Sequence, residues 1–185
     1  MKTAWLAGAL AALALALPAA AQEPAKVLSD KDITEAALIE ALTPAQQPIL
    51  TRSIRVERND EPRPMPAKPA SASLLITFET NSAALTSRAK QSLNVVGEAL
   101  RSEKLAAFRF SIQGHADPRG NSESNLKLSQ LRAESVRDYL VHKKHIDDPR
   151  LEAIGKGDTE LMNKANPAAP ENRRVTIVNL TQAQQ

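Results

Sequence analysis

The sequence predicts an α+β fold in the order β-α-β-α-β-β, with two main helices packed on one face of a four-stranded mixed sheet. Three observations predict it. Strand-like alternation of apolar and polar residues occurs at Leu74–Glu79 and again at Ala107–Gln113. Apolar residues at helical spacing follow each of these runs, from Thr86 to Leu100 and from Asn121 to Lys144. Two short strand patterns, Arg150–Ile154 and Arg173–Leu180, then flank a polar loop punctuated by proline. Helices that follow strands and share one apolar face imply a two-layer arrangement, and roughly 110 residues suffice for one modest core.

Each element has its own warrant. Residues 1–21 read as a secretory signal peptide: Lys2 is the positive start, Ala4–Leu17 the apolar core, and Ala19-Ala20-Ala21 the small-residue cleavage site. The apolar run is shorter than the ~20 residues a spanning helix needs, so cleavage is preferred to an uncleaved anchor. Residues 22–60 form a short N-terminal segment with a helical signal at Asp30–Leu42, where Ile33, Ala37 and Ala41 make a stripe beside Leu38 and Leu42. Ile49–Arg58 reads as a short strand carrying Arg52, Arg55 and Arg58. Residues 61–72 are a proline-rich linker favouring extended conformation. The regular domain occupies residues 73–182. In it Thr86 is placed to cap the first main helix, whose stripe is Ala89, Leu93, Val96 and Leu100. The second main helix takes Leu128, Leu131, Val136, Tyr139 and Leu140 as its stripe.

Composition closes off several functions. The chain has no cysteine, which excludes disulfides, thiolate chemistry, Cys-based zinc sites and lipidation on an N-terminal cysteine. A formal charge of +3, or +2 without Lys2, is too small and too evenly spread for nucleic-acid binding. No cofactor and no metal set is indicated. His142 and His145 share a helix face, but without a carboxylate beside them they make a poor metal site and read as a solvated helix end.

The chemistry concentrates in Gly114–Ala133. A strand ends at Gly114, Pro118 and Gly120 break the extended run, and Asn121–Ser124 are residue types that cap helices. Asp117 therefore sits in a loop at the mouth of a strand, where a rigid scaffold commonly carries binding residues. Arg132 lies two helical turns after Asn125, so the two share a face. A loop acid and a helix arginine can together grip a ligand carrying an amine and a carboxylate.

Five pieces of sequence, in this order, resemble the OmpA-like peptidoglycan-binding domain over about Leu74–Leu180. They are Ile76-Thr-Phe-Glu-Thr-Asn-Ser-Ala-Ala-Leu85, Gly114-His-Ala-Asp-Pro-Arg-Gly120, Asn125-Leu-Lys-Leu-Ser-Gln-Leu-Arg-Ala133 with Val136 and Tyr139-Leu140, Gly155-Lys-Gly157, and Glu171-Asn-Arg-Arg-Val175. The resemblance implies a non-enzymatic periplasmic module that binds the diaminopimelate-containing peptide stem of peptidoglycan and supports envelope integrity or tethering, near the outer membrane or cell wall. It implies that Asp117 takes the ligand ammonium and Arg132 the carboxylate, that Asn125 lines the pocket, and that Phe78 with the Thr80–Ser82 turn forms the opposite wall. A planar guanidinium suits a carboxylate through paired hydrogen bonds, and the N-terminus of the same helix offers N–H donors to an anion. One of Arg173 and Arg174 also contributes, because successive strand side chains point to opposite faces. Ala116 stands where the family usually has Thr, a loss of about 1 kcal/mol if that hydroxyl bond were buried, and Glu79 stands where Asp is common.

Residues 22–72 are left to engage an envelope protein. An alternative keeps the same fold as an accessory of a stator or secretion machine, held by an uncleaved leader. A peptidoglycan hydrolase using His115, Asp117 and Asp158 is a weaker reading, since no nucleophile–base pair stands at sensible spacing.

Overall fold

A computed structural model describes residues 27–29, 32–44, 69–79 and 82–181 of the 185. The leader at 1–21, the strand read at Ile49–Arg58, residues 61–68 of the proline-rich linker and residues Thr80 and Asn81 lie outside the described residues. In chain order the elements are β1 (Val27–Leu28), α1 (Glu35–Leu42), β2 (Ser71–Leu74), α2 (Ser87–Arg101), β3 (Phe110–His115), α3 (Ser122–Lys144), β4 (Leu151–Gly157) and β5 (Val175–Asn179). The strands form one mixed sheet in the order β1-β2-β5-β3-β4. β1 runs parallel to β2 and β3 parallel to β4, while β5 is antiparallel to both β2 and β3.

The sheet therefore has five strands, not the four expected. The extra one, β1, is two residues long, with Leu28 opposite Leu74 and its carbonyl accepting from the Leu75 N–H at 3.1 Å. Two residues are too few to show a period of two. The strand expected at Leu74–Glu79 is also displaced: β2 ends at Leu74, and the Ile76 N–H turns back to the Leu74 carbonyl at 3.0 Å. That turn breaks the alternation, although Ile76 is still buried and Phe78 pairs with Leu85 in an isolated bridge. β3 continues two residues further than expected, to His115, and β4 contains Gly155-Lys156-Gly157 rather than ending before them.

The helices begin where their caps dictate. Thr34 accepts from the Ala37 N–H at 3.2 Å and Thr86 from the Ala89 N–H at 3.1 Å. At α3, the Asn121 side-chain oxygen accepts from the Glu123 and Ser124 N–H groups at 2.9 and 3.1 Å. Each cap satisfies N–H donors that have no partner within their helix. All four stripe residues expected in α2 are buried, and they join Phe110, Ile112, Val175 and Ile177 of the sheet in a single core. From α1, Leu38 and Leu42 enter the same core, and the buried Asn179 of β5 donates to the Leu42 carbonyl at 2.9 Å.

α3 departs from its expected stripe. Leu131 is 44% exposed, and the buried positions are Ser129, Ala133, Val136 and Leu140. The reason is how close the helix lies to the sheet. Gly114 and Gly155 are register partners on neighbouring strands, and a Cβ on either would collide with α3: 2.2 Å from the Ser129 carbonyl oxygen and 2.6 Å from the Gln130 nitrogen. Only small or polar side chains fit the helix face this contact creates. The contact is also hydrogen-bonded, since Ser129 Oγ accepts from the Gly157 N–H at 2.9 Å and Gln130 Nε2 donates to the Ala153 carbonyl at 3.2 Å.

Gly114→Ala should therefore cost at least the ~1–3 kcal/mol of an overpacked core, because the clashing atom is backbone and cannot rotate away. Urea denaturation of the two proteins checks this, and equal midpoints would refute the close-contact account.

Candidate functional site

The site forms where β3 ends. The His115 N–H donates to the Arg174 carbonyl at 3.0 Å and the Ala116 N–H to the Gly157 carbonyl at 2.7 Å, so the chain leaves the sheet with both neighbouring strands attached. The buried Ala116 thus gains a backbone anchor that needs no side-chain hydroxyl. Asp117 follows as the first loop residue, with its carboxylate turned inward.

That carboxylate is fully engaged. Oδ1 accepts from the Arg119 backbone N–H at 3.1 Å and from Arg119 Nε at 3.0 Å. Oδ2 accepts from Arg119 Nη2 and from Arg173 Nη1, both at 2.8 Å. The Arg119 pairing, followed by Arg173, holds the Asp117 carboxyl well below the usual carboxylate range, against the opposing effect of burial. Arg119 was not among the residues singled out from sequence. Its signal was present, since an arginine two positions after an aspartate in a tight turn lies within reach of that side chain.

Arg132 projects from α3 across a cavity of about 310 Å³ lined by Ile76, Phe78, Gly114, Arg132, Arg173 and Val175 among others. Its guanidinium stacks over the Phe78 ring, 4.9 Å from the centroid, and its Nε donates to the Ser82 carbonyl at 3.1 Å. Phe78 thus lines the cavity across from Arg132, while Ser82 touches Arg132 through its carbonyl and is not a lining residue. Burial lowers the Arg132 pKa, and Arg173 adds to the effect while Asp117 opposes it.

Of the two adjacent arginines, Arg173 meets Asp117. Arg174 also borders the cavity, but it is buried and its Nη2 donates to the Glu160 carbonyl at 3.2 Å. His115, next to it, is buried and neither ring nitrogen has a protein partner. Burial first, and the Arg174 charge second, lower its pKa to about 4.

Asn125 has a different role from the one expected. Its Nδ2 donates to the carbonyls of Asp117 and Arg119 at 3.1 and 3.2 Å and to Asp158 Oδ2 at 3.3 Å, so it fastens the loop, and it is not a residue of the cavity wall. The α3 amides of Glu123 and Ser124 are likewise taken by Asn121. Asp158 accepts from Ser122 at 2.8 Å, which ties β4 to the start of α3. Asn172, between Glu171 and Arg173, is buried. Its side chain accepts from the Met162 and Asn163 N–H groups and donates to the Asn163, Asn166 and Pro167 carbonyls, fixing the loop that delivers Arg173. Among the described residues no three His, Cys, Asp or Glu side chains gather in a way that would hold a metal ion.

Comparison with known proteins gives this geometry a setting. The model of the OmpA family matches residues 77–174. The peptidoglycan-associated lipoprotein of Brucella melitensis is 32% identical over 107 residues, which cover 56% of this chain and 62% of that protein. Its counterpart in Rhizobium meliloti is 35% identical over 105 residues, covering 56% and 58%. The chain thus spans about six-tenths of the length of these curated relatives. Among solved structures, the OmpA-like domain of FopA1 from Francisella tularensis superposes with a TM-score of 0.50 at 20% identity, over 58% of this chain and 69% of that one, which is a likeness of fold.

The two depressed pKa values predict separate pH windows. His115 is neutral in the fold with a pKa near 4 against an ordinary 6.5, so the unfolded chain takes up its proton first. Its contribution is complete above pH 6.5 and is lost as pH falls toward 4, on the order of 1–3 kcal/mol. The Asp117 contribution is complete above its ordinary value of 3.8 and is lost only below it. Urea denaturation at stepped pH should show stability falling from pH 7 to pH 4.5, and His115→Asn should flatten that slope. An unchanged slope in the variant would remove His115 as its source.

Proposed function

On the premise that this chain belongs to the OmpA family, we propose that its domain holds peptidoglycan noncovalently, through the distal end of diaminopimelate in the peptide stem. The observation that carries the reading is the arrangement of Arg132, Arg173 and Asp117 at one mouth of the sheet. Arg132 and Arg173 line the cavity, as does the buried Arg174, and the Asp117 carboxylate is bonded to Arg173 from behind that lining. An ammonium and a carboxylate on the same carbon present the complementary pair of charges. Arg132 takes the carboxylate, its position held by Phe78 and the Ser82 carbonyl, and Asp117 takes the ammonium. Phe78 supplies an apolar wall for the methylene chain of the ligand.

The module is a holder, not a hydrolase. Asp117 is bonded to guanidiniums, Asp158 to Ser122 and Asn125, and His115 hydrogen-bonds to neither, its basicity suppressed by burial. A general base needs a hydrogen-bonding path to the proton it removes. We place the protein in the periplasm, exported by residues 1–21 and tethering wall to an envelope partner through residues 22–72. The names of its relatives, peptidoglycan-associated lipoproteins, support an envelope setting.

Sedimentation with insoluble peptidoglycan tests the reading. Arg132→Ala and Asp117→Asn should each lower retention by about tenfold or more, the scale of one lost charge-assisted hydrogen bond. Peptidoglycan lacking diaminopimelate should be retained poorly by the wild type. If folded variants sediment as well as the wild type, the site is elsewhere.

A further inference from the structure

The acid proposed to receive the ligand is closed off. The Asp117 side chain is 6% exposed and is not among the residues lining the cavity, whose walls include Arg132 and Arg173. Between Asp117 and solvent stand two guanidiniums of unequal standing. Arg173 is 39% exposed and also donates to the Ala168 carbonyl at 3.3 Å. Arg119 is 65% exposed, and among the described residues its guanidinium bonds only Asp117.

We infer that Arg119 is an exchangeable internal cation, a surrogate for the ligand ammonium that must leave Asp117 before an amine can bind, and that it thereby sets the affinity and amine selectivity of the site. The inference rests on the peptidoglycan reading above. Three features of the loop carry it. First, the exchange matches donor for donor. Arg119 Nε and Nη2 occupy one position on each carboxylate oxygen, while the Arg119 backbone N–H and Arg173 Nη1 occupy the others. An ammonium, with three donors, can take both positions the side chain vacates, and the backbone N–H and Arg173 stay in place.

Second, the exchange needs no refolding of the loop. The carbonyls of Asp117 and Arg119 are held by Asn125 Nδ2, and Gly120, at φ +94°, has no heavy atom within 4 Å of where a Cβ would stand. The guanidinium swings out on side-chain torsions alone, a motion of nanoseconds or faster for an exposed residue. Third, the charges balance. Arg119, Arg132 and Arg173 surround one carboxylate. An incoming ammonium replaces one cation with another, so the site does not gain positive charge when a zwitterion binds. A ligand with a carboxylate and no amine leaves Arg119 in place and engages only Arg132 and Arg173.

Closed and open forms compete for the same carboxylate, so the observed affinity is the intrinsic one scaled by the open fraction. Isothermal titration of the full chain with a soluble tripeptide stem ending in diaminopimelate, and with the same peptide acetylated at its distal amine, tests this. Arg119→Ala should bind the free-amine peptide about 2- to 5-fold more tightly than the wild type, and should bind the acetylated peptide no more tightly. Arg119→Gln should behave like Arg119→Ala, and Arg119→Lys should fall between. Equal or weaker binding of the free amine by folded Arg119→Ala, with the wild type binding, overturns the inference and leaves the proposed function standing. Equal tightening for both peptides also overturns it, because a steric lid would act without regard to the amine. If neither protein binds either peptide, the peptidoglycan reading fails and the inference fails with it.

Discussion

Everything at the site depends on one contact between backbones. Gly114 and Gly155 sit side by side on β3 and β4, and the Ser129–Gln130 stretch of α3 rests on them with no side chain between. This pins the height and rotation of α3 over the sheet. Arg132 is less than one turn further along the helix, so its reach to Phe78 and Ser82 follows from the same contact. The loop that carries Asp117 joins β3 to α3, and both of its ends are therefore fixed by elements already locked together. Preorganisation of this kind keeps the entropy cost of binding low.

On that frame the site gathers more positive charge than a single acid can balance. Arg132 is partly relieved by stacking on Phe78, where the ring face offers a weak negative potential. Arg173 and Arg119 are relieved by Asp117. The two adjacent arginines precede β5, which begins at Val175, rather than lying in it: Arg173 meets the loop acid, while Arg174 is buried beside His115 with its hydrogen bond to the Glu160 carbonyl. The two residues share a motif and little else.

Legibility from sequence tracked how local each signal was. Thr86 with Ala89, Leu93, Val96 and Leu100 declares α2 in full, because cap and stripe fall within one element. Asp117 and Arg132 stand out by residue type and position, and the ligand roles proposed for them rest on the resemblance. What escaped depended on contacts distant in sequence. Leu131 fits the helical period, but the face of α3 is chosen by two glycines on other strands. β1 is recruited by the edge of β2 and has no pattern of its own. Asn125 offers donors suited to a ligand, and only the fold shows them spent on the loop carbonyls and Asp158. Arg119 was hidden for the opposite reason, its partner being too close to attract notice.

The attachment of the N-terminal segment has a mechanical meaning for a chain proposed to link cell wall to something else. Tension entering from that end reaches β1 and α1 before it reaches β2. β1 is held to the sheet over two register pairs, and α1 by Leu38 and Leu42 in the core together with the Asn179 amide bonded to the Leu42 carbonyl. β1 thus has half the register pairs that join β2 and β5, which number four. On the tethering reading, a pull from the N-terminal side would load the two-pair β1 before the glycine-seated helix and the site beside it.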